Sequence, residues 1–151
     1  NMVMINCSLE LDCDEKNFLK ILTDYENISN YLPRKLKKIE IVDQHDNYAT
    51  INATIFLRTL IKKEFSQNIR IEKKSDNDLF VEILDGLAKG TRITISTIMQ
   101  KGKTICHVNS NIKLSLKVVI LYPIIKKEHN AFLSGVLRKI SVDAKQARKE
   151  C

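Results

Sequence analysis

Between Leu36 and Leu116 the chain alternates apolar and polar residues at period two, and from about Leu121 to Lys149 the period becomes 3.6. This change of period constrains the fold more than any other feature. Ile51, Ala53, Ile55 and Leu57 share one phase, with Thr50, Asn52, Thr54 and Phe56 on the other. Phe65, Gln67, Ile69 and Ile71 repeat the pattern, as do Ile93, Ile95, Thr97 and Met99. The last run puts Cys106, Val108, Ser110, Ile112, Leu114 and Leu116 on one face. His45-Asp-Asn47, Ser75-Asp-Asn-Asp78, Asp85-Gly86 and Lys101-Gly102-Lys103 are turn signals between runs. Six successive strands joined this tightly predict an antiparallel meander over residues 36–116.

Such a sheet needs one face covered. The 3.6-period segment can do it, with a stripe of Ile125, His129, Phe132, Val136, Ile140, Asp143 and Ala147. Pro123 is tolerated in its first turn. At 1.5 Å per residue this helix spans roughly 40 Å.

Ahead of the meander, Met2–Leu11 reads as a first strand with Ile5, Cys7, Leu9 and Leu11 in phase. Asp12-Cys-Asp-Glu15 matches a capping box and predicts a short helix over residues 14–22. Thr23-Asp-Tyr-Glu26 matches a second capping box at once. A second short helix then carries Tyr25, Ile28, Tyr31 and Leu32 on one side until Pro33 ends it. The expected order is β-α-α-β6-α in a single domain over residues 1–151.

Composition narrows the function classes. There is no run of 18 apolar residues and no charged-then-apolar leader, which predicts a cytoplasmic protein; Asn1, ahead of Met2, is set aside as an added residue. Cys7, Cys13, Cys106 and Cys151 form no CxxC pair and complete no metal spacing with His45, His107 or His129. They are expected to be free thiols filling apolar space, and no metal or cofactor is expected. The net charge is +7, from 25 basic and 18 acidic residues. The basic pairs are scattered, and no aromatic residues interleave with them as a base-stacking surface requires, so nucleic acid is disfavoured. Peripheral contact with an anionic membrane stays open.

"FLKILTDYENISNYLP", residues 18–33, resembles the helix pair that follows the first strand in the START-like or SRPBCC superfamily. "ILDGLAKGTRITIS", residues 83–96, is similar to a segment of its polyketide cyclase and coenzyme-Q-binding carrier branch. Leu87 and Ala88 stand where that branch has Pro and Phe, and Ile95 where an aromatic is common. The resemblance covers nearly the whole chain. It implies an α+β helix-grip fold, a curved antiparallel sheet wrapped around the long C-terminal helix, with a hydrophobic cavity between them. Relatives of the coenzyme-Q type bind isoprenoid or quinone lipids there, cyclase relatives act on polyketides, and others bind acyl lipids or client proteins.

On that frame Ile51, Ile55, Phe65, Gln67, Ile69, Val81, Ile93, Ile95, Val108, Ile112, Phe132 and Val136 are the expected cavity lining. His129, on the apolar stripe, is expected to face the sheet and to meet a carbonyl or hydroxyl of a ligand. Tyr25, Ile28, Tyr31 and Leu32 are the expected gate at one end. Arg92 and His107 are in phase with polar positions and are expected outside. No catalytic motif is present: "GLAKGT", residues 86–91, lacks the GK[ST] ending of a phosphate loop. The expected function is binding or transport of a hydrophobic small molecule such as a lipid, isoprenoid or quinone. A cyclase- or dehydratase-type enzyme using His129 with Glu128 or Tyr48, and a protein-interaction module, are the alternatives.

Overall fold

The computed structural model describes residues 2–31, 36–57, 63–116 and 118–150; the side chains of 29, 36, 37, 57, 63, 121, 124, 125, 127, 128, 130–132, 134 and 145–150 lie outside the description. Leu32, Pro33 and Cys151, and the side chain of Phe132, fall outside it.

Strand β1 (Met2–Leu11) leads into helix α1 (Glu15–Leu22), a single 3₁₀ turn (Ile28–Tyr31) and six strands. These are β2 (Leu36–Gln44), β3 (Tyr48–Leu57), β4 (Lys63–Ser75), β5 (Asp78–Ile83), β6 (Arg92–Gln100) and β7 (Lys103–Lys113). A second 3₁₀ turn (Val119–Leu121) opens helix α2 (Tyr122–Glu150). All strands form one antiparallel sheet in the order β1-β7-β6-β5-β4-β3-β2. The meander is as the alternation predicts, and β1 closes it by pairing with β7 from Met2↔Lys113 to Leu11↔Thr104. The β6–β7 hairpin turns through Lys101 (φ 53°) and Gly102 (φ 78°), positive at both positions as the twist of a two-residue hairpin demands.

The core lies where α1 and α2 meet β1, β7 and β6. Phe18, Leu11, Cys106, Val108, Leu137, Ile140 and Ala144 are closed to solvent there. Burial, followed by the neighbouring Cys7 and Cys13 thiols, pushes the Cys106 thiol up to about 12. It stays protonated and packs as a small apolar group. A second cluster of Ile5, Ile112, Leu114 and Val118 takes in Leu87, Ala88 and Tyr122. A third joins Tyr25 to Ala49 and Ile51.

Several local expectations change. Asp14, not Asp12, caps α1: its backbone is extended and its carboxylate accepts from the Lys16 N–H at 3.1 Å. Thr23 builds no second capping box. Its hydroxyl donates backward to the Leu19 carbonyl at 2.8 Å, finishing α1, because a carbonyl four residues back is already aimed at it. The chain then turns on Asp24, whose carbonyl accepts from Ile28 N at 2.9 Å, and the second helix is the one 3₁₀ turn. The last strand ends at Lys113 rather than Leu116. Thr91 Oγ1 holds both the N–H and the carbonyl of Lys113, and the Tyr122 hydroxyl accepts from Leu114 N, so the ladder has no free groups to continue. On α2 the buried ridge is Val136, Leu137, Ile140, Ser141 and Ala144; Asp143 stands at its exposed edge. Met99, in phase with the inward residues of β6, is exposed near the strand's end.

Candidate functional site

The inward face of the sheet is a set of rows that cross strands in register. One row pairs Ile41 with Ile51, Ile51 with Ile69 and Ile69 with Ile83. The next runs Ala49–Ile71–Val81–Ile93–Ser110–Ile5 across six strands. Ser110 is the one polar side chain in that row, and it is 1% exposed. A buried hydroxyl in an apolar row needs a partner. It has one in His129, whose Nε2 lies 2.8 Å from Ser110 Oγ. The phase of α2 delivers the imidazole from above, about two turns ahead of Val136. The hydroxyl and the ring nitrogen share one hydrogen, and the tautomer sets which of them donates.

The expected lining residues fall into two groups. Ile95, Val108 and Val136 belong to the main core cluster, Ile112 to the second, and Ile51 to the third. Ile55, Phe65, Ile69, Val81 and Ile93 are half-buried, as is His129. Gln67 is buried, and its Nε2 donates to the Ala53 carbonyl at 2.9 Å. That bond ties β4 to β3 beneath Ile55 and Phe65, which face each other across the pair. The expected gate residues Tyr25, Ile28 and Tyr31 sit along the inner edge of the sheet. Tyr25 packs on Ala49 and Ile51, and Ile28 and Tyr31 on the main core. The Tyr31 hydroxyl donates to Asp143 Oδ2 at 2.6 Å and so fastens the elbow to α2. This bond, foremost, pushes the phenol up to about 12.

Other candidates lie apart. Tyr48 is on the outer face, stacked on His45 and covered by the Arg70 guanidinium at 4.2 Å, so the sheet separates it from His129. Arg92 and His107 are outside as their phase requires, the first beside Glu82 at 3.8 Å and the second bonded to Ser8 Oγ at 2.7 Å. Among the described residues no three His, Cys, Asp or Glu side chains gather as a metal site. Among the described residues no helix is long and apolar enough to cross a membrane.

Two features escaped the reading of the sequence. One is Ser110 as the partner of His129; its signal was a lone serine in phase with Cys106, Val108 and Ile112. The other is an open cleft of about 630 Å³ between α1 and the β4–β5 turn. Asp14, Lys16, Lys20, Lys73, Asp76 and Asp78 line it with charges of both signs. It is a polar surface feature, unlike the apolar rows on the inner face.

No family profile matches the chain. A curated relative is oxysterol-binding protein-related protein 1 of Homo sapiens, 29% identical over 84 residues, which is 55% of this chain and 9% of the relative. The solved structures match far more completely. A di-domain aromatase/cyclase from the steffimycin biosynthetic pathway superposes with a TM-score of 0.80 at 9% identity, over 99% of this chain and 52% of the other. This chain thus spans about half of that protein. A START superfamily protein from Mycobacterium smegmatis gives 0.73 at 13% identity, over 95% and 98% of the two chains. Norcoclaurine synthase from Thalictrum flavum gives 0.70 at 14% identity, over 94% and 87%. With seven antiparallel strands in one meander closed by β1, a two-part elbow after β1 and a long final helix, this chain has the START-like helix-grip fold.

Proposed function

We propose that the chain binds a hydrophobic small molecule of lipid, isoprenoid or quinone type between the inner face of the sheet and α2. The ligand's apolar body lies on Ile55, Phe65, Ile69, Val81 and Ile93, and its hydroxyl or carbonyl oxygen meets His129. The observation that carries this reading is the six-strand row, apolar except for Ser110, with an imidazole 2.8 Å above that serine. Apolar sites of this kind take their specificity from a few placed polar groups. Tyr25, Ile28 and Tyr31 form the gate at the elbow. The name of the curated relative, which refers to oxysterol binding, points to the same ligand class.

The test is native mass spectrometry of freshly purified protein. Thermal shift follows on delipidated protein, with decylubiquinone, oleic acid and 25-hydroxycholesterol as probes. A co-purifying apolar adduct, or a melting shift of several degrees with one probe that His129→Leu reduces at least fivefold in affinity, is expected. Apo protein that none of the three probes shifts would overturn the reading.

A further inference from the structure

Leu116 and Ile120 are the most exposed of the large hydrophobic side chains among the described residues, at 79% and 70%. They are not on a loose loop. Between and before them Val118 and Leu114 are buried in the second core cluster with Ile5, Ile112, Leu87 and Tyr122. Tyr122 Oη accepts from Leu114 N at 3.0 Å and donates to the Ile112 carbonyl at 3.2 Å. Ser115 N donates to the Leu87 carbonyl at 2.8 Å, joining this turn to the β5–β6 turn. The β7–α2 connection is therefore a rigid platform that pushes two aliphatic side chains into solvent.

The charge of the chain segment that carries it is one-sided. Residues 86–127 contain eight Lys or Arg and no Asp or Glu, leaving 17 basic and 18 acidic residues for the rest of the chain. The whole surplus of +7 thus resides in this one segment and is diluted elsewhere. At the platform end of the segment stand Lys89, Lys113 and Lys126. The side chains of Lys89, Lys113 and Lys126 are exposed. No ion pair among the described residues involves them, whereas Arg92 is paired with Glu82 and Lys103 with Glu10.

From this juxtaposition we infer that the β7–α2 platform docks on an anionic lipid surface, with Leu116 and Ile120 entering the headgroup region and the lysines facing acidic lipids. Exposed aliphatic side chains together with exposed lysines are complementary to that surface on both counts. A nucleic acid would use the lysines and leave the aliphatic pair without a partner, and the platform's one described aromatic, Tyr122, is engaged beneath it. The inference does not depend on what the inner groove carries.

Vesicle flotation tests it. Wild type is expected to float with phosphatidylcholine vesicles containing about 30% phosphatidylserine at low salt. It should bind pure phosphatidylcholine at least tenfold more weakly, and detach as salt rises through the screening range. Leu116→Ser with Ile120→Ser should lower anionic-vesicle binding at least tenfold with melting unchanged, because both positions are already in water. Lys89→Glu with Lys126→Glu should cost about fivefold per lysine or more. Lys139→Glu, about 25 Å along α2 from Tyr122, should change little. Absence of flotation on the anionic vesicles, equal flotation of the serine double variant, or binding to a short single-stranded RNA but not to vesicles would overturn the inference. So would a dimer in sedimentation velocity that the serine variant dissociates.

Discussion

The two halves of the sheet present similar side chains inward and end in different states. On β1, β7 and β6 the inner residues Leu9, Leu11, Cys106, Val108 and Ile95 are closed off by α1 and the later part of α2. On β2, β3, β4 and β5, Ala49, Ile51, Ala53 and Leu79 are buried, whereas the inner residues Ile39, Ile41, Ile55, Phe65, Ile69, Ile71 and Val81 remain half-buried. The alternation of apolar and polar residues is as clean in one half as in the other. What differs is the covering layer among the described residues: α2 packs on α1 and β1, at one side of the sheet, and the elbow meets β2 at the other. On the function proposed above, these half-buried side chains are the ones a ligand would meet.

The largest expected effect tests the closed half. Phe18 is 0% exposed and lies between α1, the sheet and α2. Phe18→Ala should cost about 3–5 kcal/mol, the range for deleting a fully buried aromatic ring. Urea unfolding followed by circular dichroism measures it. A loss below about 1 kcal/mol would mean that this half is as open as the other, and the comparison would fail.

The open half should answer differently. Phe65 has the same side chain as Phe18 but is half-buried opposite Ile55. Phe65→Ala should cost about 1 kcal/mol in the ligand-free protein, since much of the ring is already in contact with water. In the presence of whichever probe shifts the wild type, the same substitution should cost more than in its absence. Thermal unfolding with and without probe reads the difference. Equal losses in both conditions would place Phe65 in ordinary core and remove it from the groove.

The contrast between the halves also marks what the sequence could reveal. Period two located all seven strands within a few residues, because each alternation carries its own burial signal and needs no partner to be read. His129 was legible as a sheet-facing residue, since helical phase from Val136 and Ile140 sufficed. Phase was not enough for the rest of α2. The stripe through Asp143 assumes that the helix meets only the sheet, whereas packing on α1 brings Leu137, Ser141 and Ala144 into the buried ridge and leaves Asp143 exposed; the side chains of Ile125, Phe132 and Ala147 lie outside the description. Thr23 misled because a threonine hydroxyl can accept forward or donate backward, and only the position of the preceding helix end decides. Which half of the sheet stays uncovered depends on where a 29-residue helix comes down, a property of tertiary packing that no local pattern records.

The smallest effect concerns the link that holds the elbow against α2. The Tyr31–Asp143 bond is 2.6 Å long but lies at the surface, so Tyr31→Phe should cost less than about 1 kcal/mol near neutral pH. Its pH dependence is more informative than its size. The bond raises the folded-state phenol from 10 to about 12, so its contribution is fully present below pH 10 and is lost as the pH rises through the folded value. The stability gap between wild type and Tyr31→Phe should therefore be constant from pH 7 to 9 and shrink above 10. Absorbance at 295 nm should show a late-ionising phenol in the wild type that the variant lacks. Tyr25, which burial also pushes up, contributes a late phenol to both proteins and cancels in the difference. If Tyr31 also gates the groove, releasing it should speed probe exchange more than it lowers affinity, because opening a gate changes both rates together. A variant that alters affinity and exchange in equal proportion would make the elbow part of the binding surface instead of its door.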